Sequence, residues 1–431
     1  MDILIDNFGT IKHAHVKIGG LTVIAGENDT GKSTVGKLLF SLIKANTRYE
    51  ENLVEDRDFR TKSIIERIYF NVRRHVNISN HIELREIFHP SRFMEDIRLQ
   101  KDIAVHKRIA HTIDKEHDNI FDKKISNYIT SSLESLLEVL NEDNDKKSAI
   151  IRSVKRAFFS EFRGEIYPKG KGDIGKTSVK IYDGESKLVQ IDLDKEGNME
   201  FELIDDIGFD DATFVDTPSI IQFHQFTDMS RTLFDKSTAN RGFYVPLHVK
   251  DLSTKLKESI YDYNIFNNFF HVNNNLSDTY KGRLFYDKDS SDFMLDRGTY
   301  KIRSSNVASG IKSLGIFDML VQSGHASDNT ILILDEPEVN LHPKWQIVYA
   351  KNIVELVRNG ANIIVTTHSP YMLEALKGYS EKSDIYHNIY LAKRTADFTS
   401  FEDVTRHMEP AIEALSTPLF ELNEELGFDD F

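Results

Sequence analysis

Three short apolar runs divide the chain, and each is followed at once by polar or glycine-rich residues. They lie at 21–25, 331–334 and 362–367. Strands that are apolar on both faces are typical of central parallel strands, which helices cover on both sides. Because parallel strands bring their carboxyl ends to one edge of a sheet, we expect the residues that follow these runs to meet there.

The spacing of apolar residues predicts different structures elsewhere. Residues 2–24 alternate as antiparallel strands do, and residues 35–44 have the spacing of a helix. From 49 to 162, apolar residues recur at three and four positions without a sustained heptad, which favours a compact helical lobe over a coiled coil. The remaining predictions are strands at 178–182, 188–193 and 199–203, a strand within 211–222 that leaves the head toward a second helical stretch, helix at 252–270, and a strand pair within 283–302.

The first apolar run leads into a glycine-rich segment and then a helix. Its sequence is Gly26-Glu27-Asn28-Asp29-Thr30-Gly31-Lys32-Ser33-Thr34, the pattern GxxxxGKS. In this strand–loop–helix context the backbone N–H groups wrap a phosphate chain at the positive end of the helix. We expect Lys32 to reach the β- and γ-phosphates of ATP and Ser33 to ligate Mg²⁺. The alternative is an ordinary glycine turn.

Acidic residues and a histidine follow the other two runs. Asp335, Glu336 and Pro337 come directly after the second run, and His368 follows the third. Asp335 is the expected Mg²⁺ ligand, directly or through water, and Glu336 the expected general base for the attacking water. A strand closed by an acidic turn is the alternative for this segment.

With these motifs the chain resembles the ABC-class ATPases, within them the group of SMC, Rad50 and OLD-type proteins. The resemblance covers 7–11 with 26–34, and about 304–376. It implies an ABC-type α/β head, with a mixed sheet flanked by helices, an antiparallel β subdomain and an inserted helical lobe. It also implies that His368 contacts the γ-phosphate and that residues 338–343 lie across a dimer interface.

The resemblance further implies a signature loop before the acidic strand. Residues 308–314 are placed for it, so that Ser309 and Gly310 would meet the γ-phosphate bound by the other protomer. The alternative for this pair is a plain helix cap. A glutamine near the exit of a strand such as the one within 211–222 senses Mg²⁺ and the attacking water in this family. Gln222 or Gln225 is the candidate, with polar surface as the alternative.

The chain departs from the family pattern at two places. Asp29 stands where many ABC proteins have glycine, which places a carboxylate near the phosphates. The signature lacks the LSGGQ form, which argues against a transporter subunit.

The expected organisation alternates between head and helical segments. The predicted boundaries are 1–48 for the N-terminal part of the head, 49–165 for the helical insertion, 166–227 for head β segments, 228–275 for a helical segment, 276–400 for the C-terminal part of the head, and 401–431 for an acidic tail.

Composition and charge limit the function classes. The chain has 431 residues, 40% hydrophobic and 28% charged, and no cysteine, which excludes disulfides and thiolate zinc sites. No run of 18 apolar residues and no cationic leader is present, so we expect a cytoplasmic protein without membrane association. The net charge of −14 argues against a wholly basic nucleic-acid binder.

Charge is unevenly placed along the chain. Residues 51–165 carry equal numbers of basic and acidic side chains, whereas from Phe401 nine acidic residues accompany Arg406 alone. The tail is expected to be a solvated end or, through Phe428 and Phe431, to dock on a basic partner. In the lobe, basic spots such as Arg73-Arg74 and Lys107-Arg108 alternate with acids, which favours a solvated surface over phosphate binding. Its histidines show no zinc or HNH spacing.

The resemblance implies ATP and Mg²⁺ as ligands and a homodimer or higher oligomer that sandwiches ATP. OLD-type proteins usually carry a TOPRIM nuclease after the histidine strand, but no acidic DxD-type site stands out after His368. The chain resembles the ATPase subunits of Septu-type (PtuA-like) anti-phage systems, some of them retron-associated. This implies a separate HNH-type effector nuclease, and contact with msDNA or DNA through the complex. The alternative is a RecF- or SMC-like repair ATPase that acts directly on DNA.

Overall fold

The computed structural model describes residues 1–47, 49–76, 81–142, 146–166, 175–194, 196, 198–203, 205–230, 244–258, 276–395 and 398–426. The chain divides into two compact units. The head unit comprises Met1–Thr47, Val154–Phe234 and Gly242–Phe431, and the helical lobe comprises Arg48–Ser153 with Asp235–Arg241.

The strands of the described residues all lie in the head unit. Their bounds are β1 (Asp2–Phe8), β2 (Ile11–Lys17), β3 (Leu21–Gly26), β4 (Thr177–Asp183), β5 (Ser186–Leu193), β6 (Met199–Leu203), β7 (Asp211–Val215), β8 (Arg283–Asp287), β9 (Asp292–Asp296), β10 (Lys301–Arg303), β11 (Thr330–Asp335), β12 (Asn362–Thr367), β13 (His387–Thr395) and β14 (Phe398–Asp403).

The helices connect these strands or form the lobe. Their bounds are α1 (Lys32–Thr47), α2 (Tyr49–His75), α3 (Ile82–Ile87), α4 (Pro90–Gln100), α5 (Asp102–His117), α6 (Lys123–Leu140), α7 (Lys146–Phe162), α8 (Ile220–Met229), α9 (Leu247–Glu258), α10 (Leu276–Tyr280), α11 (Ser309–Gln322), α12 (Pro343–Arg358), α13 (Pro370–Lys382) and α14 (Glu409–Leu426).

An 11-stranded mixed sheet organises the head in the order β6-β5-β4-β1-β2-β14-β13-β3-β12-β11-β7. The five strands from β13 to β7 are parallel, and β6, β5, β4, β1 and β2 pair antiparallel. A separate antiparallel sheet is formed by β8, β9 and β10. This architecture confirms the α/β fold class, with its mixed sheet, antiparallel β segment and inserted helices.

Both units have the core that their sequence pattern predicts. All six residues of β3 are buried, as are residues 331–334 of β11, because helices cover both faces of the parallel strands. In the lobe, α2 and α6 bury their helical stripes, among them Ile65, Ile68, Leu133 and Leu136. In the described part of the chain no helix is long and apolar enough to cross a membrane.

The structure changes three of the expected details. The 283–302 region forms three strands instead of a pair. The boundary between the lobe and the head unit lies at Ser153, inside α7, instead of at residue 165. The expected tail begins within β14 and continues as α14, whose Ala411 is fully buried, so most of it belongs to the head. Phe428, Phe431 and residues 259–270 of the expected helix lie outside the described residues.

Candidate active site

The carboxyl ends of the parallel strands bring the predicted motifs to one edge of the sheet. The register pairs Asp335 with Thr366, and Thr367 with Ala25, while Ala392 lies opposite Gly26. Thus the residues that follow β3, β11 and β12 are neighbours, as the three apolar runs predicted. The glycine-rich loop, the acidic pair and the histidine form a single site.

Two glycines of the loop have no room for a side chain. Gly31 has φ of +76°, and a Cβ atom there would lie 2.9 Å from Cγ1 of Ile11. Gly26 has φ of +155°, and its Cβ would lie 2.5 Å from the carbonyl oxygen of Ala392. The turn between β1 and β2 therefore supports the loop from outside, which gives the predicted 7–11 segment a structural role.

Lys32, the first residue of α1, lies buried beneath the loop. Its Nζ donates to the carbonyl oxygens of Gly26 at 2.9 Å and Glu27 at 2.6 Å. Nζ also lies 3.6 Å from Oε1 of Glu336. Burial lowers the pKa of Lys32, and the carboxylates of Glu336 and Asp335 oppose that shift. A cation is thus held within the loop that would bind a phosphate chain.

Asp335 ends β11 beside two hydroxyl groups. Thr366 donates to Oδ1 of Asp335 at 2.5 Å from the neighbouring strand. Burial raises the pKa of Asp335, and the Thr366 and Ser33 hydroxyls act against that rise. A carboxylate next to a serine hydroxyl supplies the hard oxygen ligands that Mg²⁺ prefers, so the residues present fit this ion.

Glu336 adopts an uncommon backbone conformation. Its φ of +48° lies in the left-handed region, which costs a non-glycine residue about 1–2 kcal/mol. The conformation is held because its N–H donates to both the carbonyl and the hydroxyl oxygen of Thr366, each at 3.1 Å. Strain of this kind turns the Glu336 carboxylate away from the strand and toward Lys32 and His368.

His368 lies at the junction of β12 and α13, where Ser369 caps the helix and Pro370 occupies its first turn. Its Nδ1 is 3.4 Å from Oε1 of Glu336 and 3.3 Å from Oε1 of Glu338. The neighbouring carboxylate of Glu336 raises the pKa of His368, and His368 in turn lowers the pKa of Glu336.

Glu338 is a site residue that the motifs did not reveal. It lies in the segment expected at a dimer interface, yet its side chain is only 3% exposed. Oε1 accepts hydrogen bonds from the Thr367 hydroxyl at 2.7 Å and from the His368 N–H at 2.8 Å. Burial raises its pKa. The only available signal was its place three residues after Asp335, which by itself does not distinguish an inward from an outward side chain.

A second buried group adjoins the acidic edge. Asp216 follows β7, and Val215 pairs with Leu334, which brings Asp216 next to Asp335. His248 on α9 bridges Asp216, 3.1 Å from its Nε2, and Glu161, 2.5 Å from its Nδ1. Burial opposes protonation of His248, but the two carboxylates outweigh it and raise the pKa to about 9. Sequence reasoning missed this group because its members are far apart in the chain.

Asp29 is compatible with its unusual position. Its φ of +62° explains why glycine suits this place, and aspartate is among the residues that tolerate it. Arg394 donates to Oδ2 of Asp29 at 2.8 Å, so the extra carboxylate is paired.

The expected signature and glutamine residues lie outside this cluster. Ser309 is exposed on the first turn of α11, and Gly310 packs beneath it, where a Cβ would lie 2.8 Å from the carbonyl oxygen of Asn340. Gln222 and Gln225 are exposed on α8.

The remaining predicted binding residues, Asn28, Thr30 and Thr34, belong to the glycine-rich loop and to the helix that follows it. The Thr30 hydroxyl donates to the Glu27 carbonyl oxygen at 2.8 Å.

Comparison with known families accounts for this arrangement. Residues 21–374 match the family described as "AAA domain, putative AbiEii toxin, Type IV TA system". The chain belongs to this family. It is therefore an ATPase of the AAA-domain class, and the match spans the loop, the acidic pair and the histidine. No protein in a search of curated sequences matches the chain.

A search of solved structures matches the chain to SMC heads, among others. A head bound to the C-winged helix domain of ScpA has 11% identity and a TM-score of 0.43, covering 95% of this chain and 98% of that one. The SMC head of Thermotoga maritima has 11% identity and a TM-score of 0.38, covering 94% and 98%. A head with an extended coiled coil, bound to the C-terminal domain of Pyrococcus furiosus ScpA, has 11% identity and a TM-score of 0.32, covering 97% and 98%.

Proposed function

We propose that this member of the AAA-domain family hydrolyses ATP at the carboxyl edge of its sheet. The observation that carries the proposal is that Lys32 and His368, from segments far apart in sequence, each have a ring or ammonium nitrogen within 4 Å of the Glu336 carboxylate. A base, a cation and a histidine at the mouth of a phosphate-binding loop are the parts that phosphoryl transfer to water needs.

Each residue has a separate task in this proposal. The loop amides of Gly31 and its neighbours and the Lys32 ammonium bind phosphate oxygens. Glu336 takes a proton from the attacking water while the oxygen of that water bonds to the γ-phosphorus. The bond between the γ-phosphorus and the β–γ bridging oxygen breaks, which gives ADP and phosphate. His368 contacts the γ-phosphate. Ser33 and Asp335 would hold Mg²⁺, which when bound neutralises charge on the phosphate oxygens.

Substitution of the base and of the cation tests these tasks. Glu336→Gln removes the base and keeps the shape, so we expect kcat to fall by about 10²–10⁴-fold while ATP still binds. Lys32→Ala removes a phosphate ligand, so ATP binding itself is lost. Equilibrium binding of a fluorescent ATP analogue, measured beside phosphate release, separates the two. Normal turnover by Glu336→Gln would rule out its assignment as the base.

We propose that two copies close around ATP. In that arrangement the exposed Ser309, with Gly310 beneath it, completes the site of the other protomer, so ATP affinity and dimer closure are coupled. Mass measurement of Glu336→Gln with and without ATP tests this. A dimer is expected only with ATP, and Ser309→Arg should prevent it. A monomer under both conditions would contradict the sandwich.

We propose further that the chain is the ATPase subunit of an anti-phage complex that controls a separately encoded HNH-type nuclease. In support, the description of the matched family names a putative toxin of a type IV TA system. The charge balance of residues 51–165 supports protein contact over direct DNA contact for the lobe. Within it Arg108 of the Lys107-Arg108 spot is buried and paired with Asp96.

Purification of the tagged chain from its native operon tests the partner. An HNH nuclease that co-purifies in fixed stoichiometry is expected. The RecF- or SMC-like alternative predicts instead that the purified chain alone shows DNA-stimulated ATP hydrolysis that falls steeply with salt. That second result, without a co-purifying effector, would replace our proposal.

A further inference from the structure

The turn that follows the acidic pair contains a second carboxylate with no task in the proposed hydrolysis. Glu338 lies three residues after Asp335 and is 4% exposed. Its Oε1 accepts two hydrogen bonds, whereas Oε2 is buried without a hydrogen-bond partner in the described part of the chain. A buried carboxyl group with an unsatisfied oxygen is costly, because burial removes its hydration and protein groups replace that hydration only in part.

In the described part of the chain, the contacts of the Glu338 Oε1 atom come from two residues. They are the Thr367 hydroxyl, the His368 N–H and the His368 ring, whose Nδ1 is 3.3 Å from Oε1. One carboxylate oxygen therefore contacts the backbone and the side chain of the same histidine. A hydrogen bond to the N–H fixes the backbone at residue 368, and the ring contact limits the rotation of the imidazole.

The same turn also contains Glu336. Pro337 alone separates Glu336 from Glu338, and the φ of Pro337 is fixed by its ring. The Glu336 N–H is bonded to Thr366, so both acids are attached to the end of β12. The distance between the Glu336 carboxylate and His368 is therefore set through a short rigid path whose last link is the Glu338 carboxylate.

We infer that Glu338 is a positioning residue that holds His368 in register with Glu336. The inference rests on the proposed hydrolytic site and adds to it a residue that touches neither phosphate nor water. Glu338 acts through Thr367 and His368. Loss of its charge should therefore alter the histidine and, through it, turnover, while the phosphate-binding loop stays intact.

Two features distinguish positioning from a merely structural role. The kinetic effect should fall on kcat and leave the KM for ATP nearly unchanged, because Lys32 and the loop keep their contacts. The effect should also depend on His368. In a chain that already lacks the His368 imidazole, substitution of Glu338 should have no further effect on kcat. The two substitutions should therefore be non-additive.

The experiment compares Glu338→Gln, His368→Asn and the double variant, with Glu355→Gln, a half-exposed glutamate of α12, as a matched control. We expect Glu338→Gln to lower kcat roughly tenfold to a hundredfold, as small misplacements of reacting groups do. The double variant should match His368→Asn, and Glu355→Gln should match the wild type. An unchanged kcat in Glu338→Gln, or fully additive effects in the double variant, would overturn the inference.

A second measurement does not need turnover. In histidine labelled with ¹⁵N, the His368 signal is assigned by its loss in His368→Asn. We expect it to move in Glu338→Gln and in Thr367→Val, and to stay in Thr367→Ser, which keeps the hydroxyl. An unmoved signal in Glu338→Gln would refute the positioning role even in a chain that hydrolyses no ATP. Absence of hydrolysis by the wild type would instead count against the proposed function alone.

Should Glu338→Gln fail to fold, Thr367→Val takes its place. It removes one of the two hydrogen bonds to Oε1 and leaves the carboxylate present. A kcat effect of Thr367→Val that vanishes in the His368→Asn background, and that Thr367→Ser lacks, supports the inference. Equal kcat in Thr367→Val and Thr367→Ser would then contradict it.

Discussion

Helix α1 has a buried lysine near each end, and the two have very different surroundings. Lys32 begins the helix at the carboxyl edge of the sheet, where its main partners are two backbone carbonyl oxygens. Lys44 lies in the last turn, at the opposite end, and ion-pairs with Asp211 and with Asp251, the latter at 2.7 Å. Lys32 is held mainly by neutral carbonyl oxygens, with the Glu336 carboxylate 3.6 Å away, whereas Lys44 is paired directly with two acids of the protein.

The cluster around Lys44 is balanced in charge. Lys255 lies 2.7 Å from Asp211 and 3.1 Å from Asp251, so two lysines face two aspartates. Burial alone would raise the pKa of Asp211, but Lys255 and Lys44 outweigh it and lower the pKa to about 2. Burial also lowers the pKa of nearby His325 to about 4, so the ring is neutral there.

The difference between the two ends separates structure from chemistry. Charges that are matched within the chain contribute to folding and are not available to a ligand. The carboxyl edge instead combines a lysine bound to carbonyl oxygens, a strained glutamate and a half-exposed histidine. Local strain and perturbed titration at one place are what functional sites show.

The largest pH-dependent effect on stability is expected from His248, which lies near the carboxyl edge and contacts two acids. Its pKa is raised from 6.5 to about 9, so the folded state binds the proton more tightly than the unfolded state. The contribution is fully present below about pH 6.5 and is lost as the pH rises through about 9. We expect about 3 kcal/mol of unfolding free energy to disappear across this range.

Urea unfolding of the wild type and His248→Gln, measured at intervals from pH 6 to 10, checks this. The variant should lack the decline that the wild type shows between about pH 6.5 and 9. If the unfolding free energies of the two proteins changed with pH in the same way, His248 would be neutral in the folded state. Its ion pairs with Asp216 and Glu161 would then be absent.

A glycine in the middle of α1 tests how tightly the helix is packed between its two ends. A Cβ at Gly36 would lie 2.8 Å from Ile333 and 2.9 Å from Phe214, so Gly36→Ala forces the core to move and costs about 1–3 kcal/mol. The matched control is Gly378→Ala in α13, where no atom lies within 4 Å and the added methyl should stabilise by about 0.5–1 kcal/mol. Thermal unfolding reports both, and equal shifts would contradict the difference in packing.

The smallest effect belongs to the exposed pair at the mouth of the site. Asp29 and Arg394 are 69% and 50% exposed, and exposed pairs contribute about 0–1 kcal/mol. Asp29→Asn keeps a residue that tolerates positive φ, so stability should change by less than about 0.5 kcal/mol. The KM for ATP should fall slightly, because a carboxylate near the phosphates is removed. A large loss of stability would show that the Asp29–Arg394 pair contributes to folding, as the ion pairs of Lys44 and His248 do.

The sequence predicted the parts of the site that depend on local pattern. Apolar runs on both faces place β3, β11 and β12 in the sheet interior, and parallel strands must then bring Lys32, Asp335 and His368 to one edge. The lobe core followed from helical spacing in the same way. These predictions succeed because the period of a segment decides which of its residues are buried.

The features of the site that the sequence did not predict depend on which distant segments of the chain become neighbours in the fold. Nothing near Glu161 marks it as a partner of His248, and nothing in 338–343 indicates that Glu338 points inward while Val339 is exposed. The acidic tail was misjudged for a related reason. Its charge predicted a solvated end, but a few apolar residues, such as Ala411, were enough to place α14 against the head.

The most direct test of the account measures kcat and unfolding free energy for Lys32→Met and Lys44→Met side by side, with exposed Lys351→Met as control. We expect Lys32→Met to lose ATP hydrolysis while keeping its stability. Lys44→Met should lose about 3–5 kcal/mol, because it leaves the buried Asp251 and the half-buried Asp211 with one lysine fewer, and should retain its kcat when folded. Hydrolysis at the wild-type rate by Lys32→Met, or a stable Lys44→Met without activity, would contradict the division between the two ends of the helix.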